Sequence, residues 1–189
     1  IATSTTVSGN LSINRGIFRA PSSTYLGGNF TNSATFVNSS GTVVFTGGDQ
    51  SIGGSVSTTF WNFTKNVTST HTLTFPTSTT QVFRGTMDLQ GTASNLLLLR
   101  SNASGTQSRI DPQGGRTIGY LDVKDNYNIN ATIIDVTGAN ITDSGNNTGW
   151  GFNTAPSSPG SLGPASFVSG SWTTSTAPAL TFNLSDPDG

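Results

Sequence analysis

The sequence predicts an all-β chain wound as a parallel β-helix. Three observations carry that expectation: a composition stripped of helix formers, a loose internal repeat, and short apolar clusters divided by turn residues. Only 9% of the 189 residues are charged, against about 25% in average globular proteins. All nine acidic residues are Asp, Glu is absent, and Lys65 and Lys124 are the only lysines. Glu and Lys clothe exposed helix faces and are depleted from strands, so their scarcity speaks against helices. Ser and Thr make up about 30% of the chain, joined by 23 glycines. That is the profile of many short strands linked by small polar turns.

The repeat is visible at an offset of 19 residues. It aligns Val7 with Leu26, Gly9-Asn10-Leu11-Ser12 with Gly28-Asn29-Phe30-Thr31, and Ile17-Phe18 with Phe36-Val37. Further on the exact match drifts while the rhythm persists. Apolar clusters follow at Val43–Phe45, Phe60–Phe63, Leu73–Phe75, Val82-Phe83, Leu96–Leu99, Ile118–Val123 and Ile133–Val136, with Gly, Asn, Asp or Ser between most of them. A β-sandwich also suits short strands and frequent turns, but it has no need of a sequence period. A solenoid stacks like on like at about 4.8 Å per coil, which favours the repeat. Residues 1–152 are therefore read as a solenoid of roughly seven coils at about 20 residues each, with right-handed winding expected.

Composition changes at Asn153. Residues 153–165 form a Pro/Gly/Ser linker that cannot extend a coil. Residues 166–189 then read as a strand-forming tail, with apolar positions Phe167, Val168, Trp172, Leu180, Phe182 and Leu184. Two such strands are marginal alone, so the tail is expected to pair with something else.

Several function classes are disfavoured. A net charge of −1 gives no basic face for a phosphate backbone, so nucleic acid is not an expected partner. The longest pure apolar run, Leu96–Leu99, is strand-sized, and no stretch reaches the ~18 residues of a membrane span. Cysteine is absent, which removes disulfides and Cys-based metal sites. The opening Ile1-Ala2-Thr3-Ser4 reads as strand-rich interior, so a mature or excised piece of a longer precursor is expected.

Ile118-Gly-Tyr-Leu-Asp-Val-Lys-Asp125, followed by Thr142-Asp-Ser-Gly-Asn-Asn-Thr-Gly-Trp-Gly-Phe152, resembles the terminal coil of β-helical regions in large bacterial cell-surface, adhesin-like proteins. Gly28-Asn-Phe-Thr-Asn32, Gly41–Gly48 and Thr59–Asn66 are similar to the coils that precede such an ending. Ala179–Gly189 looks like the opening strand of an Ig-like or cadherin-like module. The resemblance implies an extracellular or cell-surface setting and carries over no catalytic residue. Its implied role is structural or adhesive. The tail adds a sharper expectation: donated to the open end of a neighbouring copy, it would build a head-to-tail filament. A monomeric adhesin, or a module binding surface glycans, is the alternative.

Candidate chemistry is sparse, and no catalytic residue is assigned. Asp122 and Asp125, with Lys124 between them and Arg116 nearby in sequence, are the closest approach to an acid/base pair. Clustered in a groove they would favour carbohydrate cleavage or binding; as turn residues they are merely solvated. His71 is the only histidine and reads as a surface residue before a strand. No metal or other cofactor is expected, with Asp186 and Asp188, or Asp143–Asn147, as weak Ca²⁺ candidates. Thr72-Leu-Thr74 and Ser78-Thr-Thr80 hint at the Thr arrays of ice binders but do not recur coil by coil. Ten Asn-x-Ser/Thr sequons offer glycosylation sites, at Asn10, Asn29, Asn38, Asn62, Asn66, Asn102, Asn130, Asn140, Asn146 and Asn183; the competing reading is Asn ladders between coils. Trp61, Trp150 and Trp172 could stack sugars, cap coils or fill the core.

Overall fold

A computed structural model describes residues 3–152. The described chain is all-β with no helix, and its strands stack in parallel as a β-solenoid of about six turns. The linker and tail, with Asp186, Asp188, Asn183, Trp172 and the apolar positions from Phe167 to Leu184, lie outside the described residues, as do residues 1 and 2.

Three sides build the coil. The first sheet holds Ser4–Val7, Ser23–Leu26, Thr42–Phe45, Asn62–Asn66, Met87–Gln90 and Arg116–Gly119. The second holds Leu11–Ile13, Phe30–Asn32, Gln50–Gly53, His71–Phe75, Leu97–Ser101, Leu121–Val123 and Thr142–Asp143. The third side holds Thr58–Phe60, Thr80–Phe83, Ser108–Pro112 and Asn126–Asn128. Two pairs complete the stack: Ile17–Arg19 with Thr35–Val37, and Ile134–Asp135 with Trp150–Gly151.

The expected alignments recur as strand register, with one change. Val7 lies opposite Leu26, and Leu11 opposite Phe30. Ile17, however, pairs with Thr35 and Phe18 with Phe36, one residue short of the 19-residue offset. Side chains alternate across a strand, so this slip exchanges the faces of the two residues. It stacks Phe18 on Phe36 with ring centroids 6.1 Å apart. Later coils are longer, with corner contacts bridging 22 to 25 residues. The lengthening starts before residue 90 and continues at the 91–95 corner, where an antiparallel bridge joins Thr92 and Asn95. Longer coils explain why the chain makes about six turns where seven were expected.

Alternation decides the core. Phe30, Phe45, Phe60, Phe63 and Phe83 are buried and touch in a chain of rings, from Phe45 on Phe63 at 4.9 Å to Phe60 stacked on Phe83 at 5.7 Å. Leu73, Leu97, Leu99, Leu121 and Val123 continue the same interior along the second sheet. Burying such side chains supplies about 1.5–3 kcal/mol each, the dominant stabilising term. The third side is mixed: Thr58, Gln81 and Asn128 share an inward row with Ile110.

Candidate functional site at the coil corners

The corner between the first and second sheets gathers polar side chains from successive coils. Asn10 Oδ1 accepts the Asn29 N–H, Asn29 Oδ1 accepts the Ser51 N–H, and Asp49 Oδ1 accepts the Thr72 N–H, each at 2.8 Å. Where the chain turns, ladder partners are lost, and these side-chain oxygens supply them. The Thr72 N–H, and then His71, hold the Asp49 carboxyl below its ordinary value.

Behind this corner sits a residue that the sequence reading passed over. Lys65 is 0% exposed. The register that sets Val44 against Thr64 places Lys65 in line with Phe45, and on its other side Lys65 faces Leu89. Its ammonium donates to Gly47 O at 2.6 Å, Gly48 O at 2.7 Å and Gln50 Oε1 at 2.8 Å. Gln50 is buried as well, donating to Leu26 O and Gly28 O and accepting the Gly47 N–H at 3.0 Å. The corner needs glycine: a Cβ on Gly47 would fall 2.1 Å from Gly27 O. Burial pulls the Lys65 pKa down to about 8, with Asp49 opposing the fall. All three ammonium hydrogens have acceptors, so Lys65 serves as a staple between coils. A signal for it was present: Phe63, Lys65 and Val67 share one phase of a period-2 strand, and both neighbours are apolar.

His71 begins a strand and is half-buried, its Nδ1 3.3 Å from Asp49 Oδ1. With Thr46, Asn66, Thr68 and Ser69 it lines a shallow cleft of about 180 Å³. Among the described residues no hydroxyl hydrogen-bonds to His71, so the Asp49–His71 pair activates no nucleophile in this geometry.

The other candidate groups are drawn apart. Asp122 is a strand residue rather than a solvated turn residue, ion-paired at 2.8 Å with Arg100, whose guanidinium also reaches Leu99 O and Asp122 O. Asp125 turns a corner at φ 57° and is 3% exposed. The Asn146 amide, and then the Gly105 N–H, hold its carboxyl below the usual range. Arg116 is occupied by Pro112 O, Thr132 O and Ile133 O, and burial lowers its pKa. These three residues share no partner. Asp143 Oδ1 accepts from Gly145 N–H and Asn147 Nδ2, which is turn chemistry. Among the described residues no group of three metal-ligating side chains occurs.

The sequons divide by what their amide nitrogens do. Asn38, Asn62, Asn66, Asn130 and Asn146 donate Nδ2 to protein acceptors, mostly on the next coil or the one before. Asn10, Asn29 and Asn102 accept backbone N–H groups through Oδ1 and turn exposed faces outward, while Asn140 is exposed with no side-chain bond among the described residues. Trp150 is buried, donates to Asn126 Oδ1 at 3.0 Å and stacks on Phe152, whereas Trp61 is exposed.

Compared with family models, curated proteins and solved structures, the chain matches none. The geometry of the chain itself therefore carries the functional reading.

Proposed function

We propose that this protein is a non-enzymatic, extracellular structural module of a cell surface, in which the solenoid is a stiff rod joined end to end with copies of itself. One observation carries the reading. The described strands stack in parallel, coil on coil, and the buried side chains of Lys65 and Gln50 spend their hydrogen bonds between coils rather than toward a cleft. Parallel strands of this kind accept a further strand through backbone pairing. The tail supplies the complementary sequence, since Phe167, Val168, Leu180, Phe182 and Leu184 offer apolar side chains on short strand-like stretches. Head-to-tail addition of this kind gives an open filament unless the rotation closes. The corner chemistry agrees with a scaffold: Lys65, Gln50, Asp125 and Arg100 spend their bonds between coils rather than toward a cleft. No Ca²⁺ requirement is proposed.

The test is negative-stain electron microscopy of the full chain beside a truncation ending at Phe152. Filaments from the full chain and single particles from the truncation are the expected result. Single particles from both would overturn the assembly reading and leave a monomeric surface module.

A further inference from the structure

Tyr120 and Asn140 occupy the same corner position in successive coils, each two residues before a register-matched pair, Asp122 and Thr142. Both adopt the left-handed conformation, at φ 53° and 55°. Asn enters that region at little cost, but a bulky aromatic residue is strained there by about 1 kcal/mol or more. The Tyr120 backbone is pinned into it, its N–H on Ala139 O and its carbonyl receiving the Leu97 N–H. A tyrosine is the wrong residue for this backbone.

Tyr120 helps line a cleft of about 680 Å³ at the same corner, together with Ala93 and Ser94 of the 91–95 hairpin. That is within the size range of small-molecule sites. Leu96 and Ile141 give the cleft an apolar part, and Ser94, Asn140 and Thr142 give it hydroxyl and amide groups. Among the described residues no charged side chain lines it. Among the described residues, the side chains of Ser94, Tyr120, Asn140 and Thr142 make no hydrogen bond to the protein, so their donors and acceptors are free for a ligand.

We propose that this cleft binds the pyranose ring of a neutral glycan, with the C–H face of the sugar on the Tyr120 ring and its hydroxyls on Asn140, Ser94 and Thr142. A sugar ring has the required duality, an apolar face and a polar rim, and the uncharged lining selects against acidic saccharides. This reading is independent of the assembly reading, and either can fail alone.

The experiment is saturation-transfer NMR on the full, unglycosylated chain with four β-1,4-linked neutral tetrasaccharides, of glucose, mannose, galactose and N-acetylglucosamine, at millimolar concentration. Transfer to at least one of them is expected. Tyr120→Gly and Tyr120→Asn, both suited to the left-handed corner, should keep or raise the melting temperature while weakening that binding up to about tenfold. Absence of transfer from all four saccharides overturns the proposal. So does undiminished binding by either folded variant. Should Tyr120→Gly fail to fold, Tyr120→Asn decides.

Discussion

At the scale of single residues, the fold depends on polar side chains that bridge coils where backbone ladders stop. Lys65 is the extreme case. Replacing it by Met fills the space but orphans Gly47 O, Gly48 O and one lone pair of Gln50, so a loss of about 2–4 kcal/mol is expected in urea unfolding. Its titration gives a second readout. The pKa is about 8 in the folded chain against 10.5 for the free side chain, so between those values the unfolded chain binds more protons. Stability from this group therefore rises as pH climbs from 8 to 10.5. Wild type should gain relative to Lys65→Met over that window; a constant gap between the two curves would show that Lys65 does not titrate there. Asp125 has the opposite sign. Its folded pKa is depressed, so its contribution is present above the ordinary carboxylate pKa and is lost as pH falls through the folded value. Asp125→Asn keeps the left-handed corner and removes the charge. It should cost about 1–2 kcal/mol at pH 7 and much less at pH 2, as followed by thermal melts.

Strands and corners obey different rules. Strands are short and individually weak, and the ring stack behind them is what locks their register. Phe60 contacts Phe30, Phe36, Phe63 and Phe83, so Phe60→Ala should cost about 3–5 kcal/mol and lower the denaturant midpoint without changing the slope. Corners depend instead on where backbones approach. Gly54 has φ 112°, and a Cβ there would lie 2.0 Å from Asn32 O. Gly105 has φ 80° with open space around it. Gly54→Ala should therefore abolish soluble expression, whereas Gly105→Ala should cost only about 1 kcal/mol. Equal effects at the two sites would contradict the close approach of Gly54 to Asn32.

For the whole molecule, the balance lies between strands paired along the stack and strands that keep an unpaired edge. Two sides pair strand on strand along the stack, whereas on the third the pair Ile17–Arg19 and Thr35–Val37 stands apart from the sheet of Thr58–Phe60, Thr80–Phe83, Ser108–Pro112 and Asn126–Asn128. A charge placed on an exposed strand is a common device against association. Ile17→Lys, at a 61% exposed position, should leave the unfolding stability within about 0.5 kcal/mol of wild type and suppress any filaments the full chain forms. Filaments that persist unchanged would exclude Ile17 from the joining surface.

What the sequence determined by itself was the class and the rhythm. Depletion of helix formers and alternation within short clusters act locally, so strands such as Thr42–Phe45 and Leu97–Ser101 could be placed from their own residues. The Gly-Asn repeat of the first coils likewise announced the stacking of Asn10 beneath Asn29. Corner lengths were not legible in the same way, because an inserted hairpin at 91–95 shifts every later alignment without altering any single strand. Nor could linear order reveal that Asp122 meets Arg100 while Asp125 meets Asn146, since those partners are 22 and 21 residues away in opposite directions. Only the tertiary structure decided those pairings, and with them the burial of Lys65. Alternation along a strand assigns a side chain to a face, but the register between coils decides which neighbours it meets there.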